Sequence, residues 1–213
     1  METRKICTVV ACIILSGVAH QTTAAGEFYG QAGLDRWSTE FAGLDKKIEN
    51  QESIEGFAEL WWNNKWSVRG QVQSFDSYTS GYSASEHLSV DLKRRFFSLS
   101  EKNYVALGAG WEEITLDSSD TYSGLRLTAE GQLELASDIS VYGQTSWLPE
   151  LDNSISSNNF EGRAFEAGLS FAPAPSLSVR FGYRRFRLDA GDSSGAGESS
   201  ESDGFIFGAG YHW

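Results

Sequence analysis

This chain of 213 residues is poor in the residues that would make it a disulfide-stapled, helical or nucleic-acid-binding protein. It has two cysteines, Cys7 and Cys12, three prolines, one methionine and three histidines. Both cysteines lie in the first twelve residues, so the rest carries no thiol, no disulfide framework and no cysteine-based metal site. Basic residues are also scarce: 17 lysines and arginines face 29 aspartates and glutamates, for a net charge of -12. A nucleic-acid partner needs a basic footprint, so none is expected. Beyond the N-terminus there is no long apolar run, which excludes a transmembrane helix. If such a chain enters a bilayer, it does so as a closed barrel, because only there are all strand backbone groups paired.

The one apolar run belongs to the leader. Residues 1–25 read METRKICTVVACIILSGVAHQTTAA, with Arg4 and Lys5 before an apolar stretch from Ile6 to Val18 and small residues up to Ala25. That is the pattern of a cleaved secretory signal peptide. Cleavage is expected after Ala25, with Ala19 as the alternative. A lipoprotein-type cut at Cys12 does not fit, because the apolar run continues to Leu15. The mature chain, 26–213, then reads as a single domain with a net charge of -13.

What the mature chain has in abundance is alternation. Leu125, Leu127, Ala129, Gly131, Leu133 and Leu135 share one parity, and Arg126, Thr128, Glu130, Gln132 and Glu134 the other. A period of two is the mark of a strand with unlike faces. Ten such stretches are expected, near 27–36, 54–62, 66–76, 86–97, 104–116, 123–135, 139–148, 162–171, 177–188 and 204–213. The intervals between them alternate. Short ones fall at 63–65, 98–103, 136–138 and 172–176, and longer polar ones at 37–53, 77–85, 149–161 and 189–203, with a modest one at 117–122. Tight turns at one end, longer loops at the other and an even strand number describe a transmembrane barrel. The fold expected is therefore all-β, an antiparallel up-and-down transmembrane β-barrel of ten strands, with eight as the alternative. Aromatics support it. Trp62, Trp66, Phe97, Tyr104, Phe171 and Trp213 lie near the short turns, and Trp37, Trp111, Trp147 and Phe205 toward the long loops, as two interfacial girdles would require.

The closing segment GFIFGAGYHW places Phe205, Phe207, Ala209, Tyr211 and Trp213 on one parity. In this, and in its overall pattern, the chain resembles the bacterial outer-membrane β-barrel superfamily, the small barrels of the OmpA, OmpX and omptin kinds. The resemblance implies that Phe205, Phe207, Tyr211 and Trp213 form a signal read by the barrel-assembly machinery. It also implies that the protein sits among outer-membrane lipid and lipopolysaccharide.

Parity assigns Glu55, Glu59, Arg69, Asp91, Lys93, Glu112, Arg126, Glu130, Glu134, Glu166, Arg180 and Arg184 to the lumen. Barrels of eight to ten strands have interiors that side chains can fill. Near-balanced charge there points to a salt-bridged polar plug, since a buried charge needs a partner. The alternative is a narrow, mildly cation-preferring, porin-like channel for small solutes. Gln71, Gln73, Gln132 and Gln144 suit either. The function expected is that of a non-enzymatic outer-membrane barrel, structural or pore-forming, with no cofactor and no metal.

Three stretches bear on enzymology or binding. EHLSVD places His87, Ser89 and Asp91 on one inward face, and a His-x-Ser pair is similar to that of lipid A deacylases. Such an enzyme needs the pair at the lipid-facing surface with a carboxylate orienting the imidazole, so a rim histidine is the simpler reading. Omptin proteolysis needs an Asp–His dyad, and no Asp-His dipeptide occurs. The acidic loop around Asp189, Asp192, Glu198, Glu201 and Asp203 has carboxylates of the kind hard cations favour, but in a Ser/Gly-rich segment with no calcium-loop spacing, it reads as a solvated loop. Arg185 and Arg187, near the outer end of their strand, are placed to meet lipopolysaccharide phosphates.

Overall fold

A computed structural model describes residues 28–42, 48–75, 84–100, 102–116, 120–152, 159–191 and 199–213. The leader, with both candidate cleavage sites, lies outside the described residues. Ten strands follow one another: β1 Phe28–Ala42, β2 Ile48–Trp62, β3 Trp66–Phe75, β4 Ala84–Ser100, β5 Asn103–Leu116, β6 Thr121–Ala136, β7 Ile139–Asp152, β8 Asn159–Ala174, β9 Leu177–Gly191 and β10 Ser199–His212. Each pairs antiparallel with its sequence neighbours, and β1 pairs with β10, so the sheet closes on itself. The architecture is a ten-stranded up-and-down barrel.

The turns at one end are tight. Between β2 and β3, Asn63 and Asn64 have φ of 54° and 51°. Asparagine tolerates this left-handed region, which the right-handed twist of the flanking strands favours in a short hairpin. The Lys65 amide donates to the Trp62 carbonyl at 3.2 Å. The seam is drawn tight at the same end: the Gly30 amide donates to the Trp213 carbonyl at 3.1 Å, and the Trp213 amide to the Gly30 carbonyl at 3.0 Å. Gly30 is needed there, because a Cβ would stand 2.4 Å from the Trp213 ring.

Most strands are longer than the alternating pattern suggested, and most of the extra length is at the loop end, though β4 runs on to Ser100 and β8 to Ala174 at the short turns. β1 runs to Ala42 rather than 36, β2 starts at Ile48 rather than 54, and β10 starts at Ser199 rather than 204. At about 3.3 Å per residue a fifteen-residue strand spans some 50 Å, well beyond the ~25 Å apolar band of such barrels, even when tilted. The expected loops at 37–53 and 189–203 are accordingly mostly strand.

Around the lower part of the barrel the outward side chains are apolar and exposed on every strand, among them Leu34, Leu60, Val68, Leu92, Leu107, Leu127, Val141, Leu169, Phe181 and Phe207. An apolar exposed belt of this kind is stable only against lipid. Toward the loops the two faces exchange character. Outward positions become charged and form ion pairs on the surface: Arg36 with Glu52, Arg163 with Glu161, Arg185 with Glu201 and Arg187 with Asp189. Inward positions become apolar. The exchange marks the level at which the strands leave the membrane for water.

Candidate functional site

The interior is the candidate site, and it is layered along the barrel axis. At the loop end Ile114 and Leu116 (β5), Tyr122 (β6), Leu148 and Leu151 (β7), Phe160 (β8) and Leu188 (β9) pack together as an apolar stopper. A second cluster of Trp37, Phe75 and Ile206 adjoins it through Phe186. This stopper was not foreseen in the sequence.

Beneath it lies an ion-paired layer. Lys93 Nζ stands 2.5 Å from Glu59 Oε1 and 2.6 Å from Glu130 Oε2. Arg184 reaches Glu55 at 2.5 Å and Glu166 at 2.7 Å. Arg126 holds Glu112 at 2.9 Å and approaches Asp91 at 3.6 Å, while Arg69 approaches Glu55 at 3.7 Å and Arg180 pairs with Asp35. Neutral groups complete the carboxylates: Gln31 and Ser67 donate to Glu59, Tyr104 to Glu130 and Gln144 to Glu166. Inward glycines make room, since a Cβ on Gly208 would stand 1.6 Å from Asp35 Oδ1. The space left within the layer is about 40 Å3, room for about three water molecules.

Below the ions a cation is held between rings. The Arg95 guanidinium lies 3.9 Å from the centroids of both Trp61 and Tyr104, a favourable cation–π arrangement in a desolvated place. Tyr29 stacks on Trp61 at 6.2 Å. From there to the short turns a vestibule of about 640 Å3 opens.

Of the residues assigned to the lumen, Glu55, Glu59, Arg69, Asp91, Lys93, Glu112, Arg126, Glu166 and Arg184 are buried, and Glu130 and Arg180 nearly so, all within this layer. Glu134 lies at the short-turn end and pairs with Lys102 at 3.2 Å, partly exposed. Two members were missed, Asp35 and Arg95, both buried. Asp91 and Lys93 share the parity of Arg95, so that signal was in the sequence.

The aromatic assignments need correction. Trp37 and Tyr104 point into the barrel, 2% and 9% exposed, because they share parity with inward Asp35 and Ala106. Phe205, Phe207, Tyr211, Trp66 and Trp147 face outward and are exposed, while Trp62 is half-buried. Trp213 is half-buried as well, stacked on Tyr211 at 6.4 Å and covering Gly30. A bulge after Arg95 turns both Phe96 and Phe97 outward.

His87 is buried, its ring between Phe75 at 5.0 Å and Phe186 at 4.9 Å, with Nδ1 3.5 Å from Glu112. Among the described residues, its Nε2 and the Ser89 hydroxyl have no hydrogen-bond partner. The pair is thus neither joined nor at the lipid surface, and no nucleophile–base contact exists there. Asp192 and Glu198 of the acidic loop lie outside the described residues. The rest of that cluster is engaged, Asp189 by Arg187, Glu201 by Arg185 and Asp203 by the Tyr183 hydroxyl. Arg185 and Arg187 therefore each already hold a carboxylate.

The family description "Outer membrane protein beta-barrel domain" matches residues 8–212. The chain belongs to this family. Its members' location, the bacterial outer membrane, is accordingly that of this barrel. No curated protein matches the sequence. Solved structures similar to this outer-membrane barrel include the outer membrane protease OmpT of Escherichia coli, 11% identical over 91% of this chain and 99% of that one, with a TM-score of 0.48. An outer membrane channel from Pseudomonas putida F1 is 14% identical over 90% and 96%, with a TM-score of 0.42. Neisserial surface protein A is 15% identical over 86% and 96%, with a TM-score of 0.40.

Proposed function

We propose that this outer-membrane barrel is non-enzymatic and non-conducting, a structural barrel whose ion-paired interior is a fixed plug and whose polar outer rim is its working surface. The observation that carries this reading is the succession of obstacles along the axis: an apolar stopper, an ion layer leaving about 40 Å3, and Arg95 between two rings. A hydrated solute needs a continuous path, and each obstacle removes it. The unjoined His87 and Ser89 favour the non-enzymatic reading over a deacylase.

The same proposal includes cleavage of the leader, recognition of β10 by the barrel-assembly machinery, and contact with lipopolysaccharide at the rim. The outward Trp147 and Phe165, cross-strand partners of Arg163 and Arg185, and Tyr183 and Phe205 one step below, serve in it as the outer interfacial girdle. The deciding experiment is single-channel recording of folded protein in a planar bilayer. Silence is expected from protein that migrates as folded on unboiled gels. Steady discrete openings whose ion selectivity changes on Arg184→Ala would overturn the plug and favour a channel.

A further inference from the structure

We propose that the outer face of the barrel, at its short-turn end, holds the headgroup of an anionic phospholipid, one whose phosphodiester is its only charge. The short turns of such barrels face the periplasm, so the lipid is one of the periplasmic leaflet. Two cations stand there without a counter-charge. Arg94 of β4 points outward and is exposed, and Lys65, in the turn between β2 and β3, is exposed too. Neither has an ion pair among the described residues. At the other end the outward Arg36, Arg163, Arg185 and Arg187 each hold a carboxylate.

The backbone brings the two charges together. Trp66 and Arg94 are direct cross-strand partners, and the Arg95 amide donates to the Lys65 carbonyl at 2.7 Å, tying the turn to β4. The Arg94 guanidinium lies 5.3 Å from the centroid of the Trp66 ring and 5.5 Å from that of Phe96, both rings being exposed. A guanidinium steadied on rings keeps its fork of N–H donors, and a phosphate is an anion that this fork meets bidentately. Lys65 adds a second positive charge beside it. From this spot Leu60, Val68, Leu92 and Leu107 continue along the exposed belt, an apolar wall for acyl chains. The charge also selects the headgroup. An ethanolamine ammonium would need an acid beside it. The described side-chain acids of this end, Glu134 and Asp138, stand at the end of β6 and beyond it, and Glu134 already holds Lys102 at 3.2 Å. A glycerol headgroup brings no cation and needs no acid. The site rests on the barrel's place in the membrane and stands apart from whether the lumen conducts.

The test is native mass spectrometry of folded protein released from a neutral detergent containing equal amounts of dioleoyl phosphatidylglycerol and dioleoyl phosphatidylethanolamine. Phosphatidylglycerol should be retained about fivefold over phosphatidylethanolamine, the effect of one basic side chain near an anionic headgroup. Arg94→Gln should remove most of that preference, and Arg163→Gln at the opposite rim should leave it unchanged. Lys65→Gln, in an exposed turn, is the second variant should Arg94→Gln fail to fold, with the same direction expected. Equal retention of the two lipids by folded protein would overturn the proposal. So would an unchanged preference in folded Arg94→Gln, or in Lys65→Gln where that is the one that folds. An equal loss in Arg163→Gln, or displacement of the lipid by equimolar glycerol 3-phosphate, would overturn it as well.

Discussion

Replacing Lys93 by methionine is the sharpest probe of the ion layer. Its side chain is 2% exposed, and its ammonium stands 2.5 and 2.6 Å from two carboxylates, those of Glu59 and Glu130. At an effective dielectric of about 20, each unit pair at that separation attracts by roughly 6 kcal/mol, most of it cancelled by the desolvation of the ions. Methionine fills similar volume, so the cavity contribution is small. What remains is two buried carboxylates without their cation, and breaking a buried pair in this way costs about 3–5 kcal/mol. Glu59 keeps Gln31 and Ser67 as donors, which argues for the lower half of that range. Removing the orphaned charge as well should recover part of the loss, so Lys93→Met with Glu59→Gln should be more stable than Lys93→Met alone by about 1–2 kcal/mol. Equilibrium denaturant unfolding in lipid vesicles, read by tryptophan emission and by unboiled gel mobility, measures both. A Lys93→Met protein within about 0.5 kcal/mol of the parent would refute the reasoning, because the layer would then be hydrated enough to screen its own charges.

Three further outcomes are expected from the same unfolding assay. Gly208→Ala should destabilise by about 2–4 kcal/mol, because the new Cβ displaces Asp35 from Arg180, whereas Gly70→Ala, with nothing within 4 Å of its Cβ, should be neutral or slightly stabilising. Leu107→Arg, on the exposed lipid-facing belt, should cost about 2–4 kcal/mol in vesicles if it lies near the bilayer midplane. Trp213→Ala should lower the folded fraction on unboiled gels during refolding, since it removes the ring that covers Gly30 at the seam between β1 and β10, with a loss of about 1–3 kcal/mol.

The sequence made the membrane-embedded part of the barrel legible because there the rule is simple: apolar outside, polar inside, period two. Leu125 to Leu135 against Arg126 to Glu134 shows it residue by residue. The same rule misleads once a strand leaves the bilayer. Above that level Ile114 and Leu116 point inward while Glu113 and Thr115 are more exposed than their neighbours, and alternation carries no sign to say which face is which. The stopper and the long outer ends of β1, β2 and β10 were hidden for that reason. Trp37 and Tyr104 were misplaced because height along the barrel was read from distance to a turn, whereas side is fixed by parity with Asp35 and Ala106. Asp35 and Arg95 obeyed a parity already visible in their strands. What no local pattern could supply is the pairing across the lumen: Arg184 with Glu55 joins residues 129 positions apart, a relation created by closure of the sheet.

The exchange of faces near the outer rim also fixes how deep the molecule sits. Phe165 is paired with Arg185 across β8 and β9, and Arg163 with Arg187 one register step above. Sinking by one such step would draw Arg185 and Arg163 toward hydrocarbon, and rising by one would lift Phe165 and Phe205 into water. Either displacement is opposed by several strands at once. The barrel therefore behaves as a rigid gauge of fixed hydrophobic height, and where the surrounding bilayer is thicker or thinner than that height, it is the lipid that must stretch or thin to meet it.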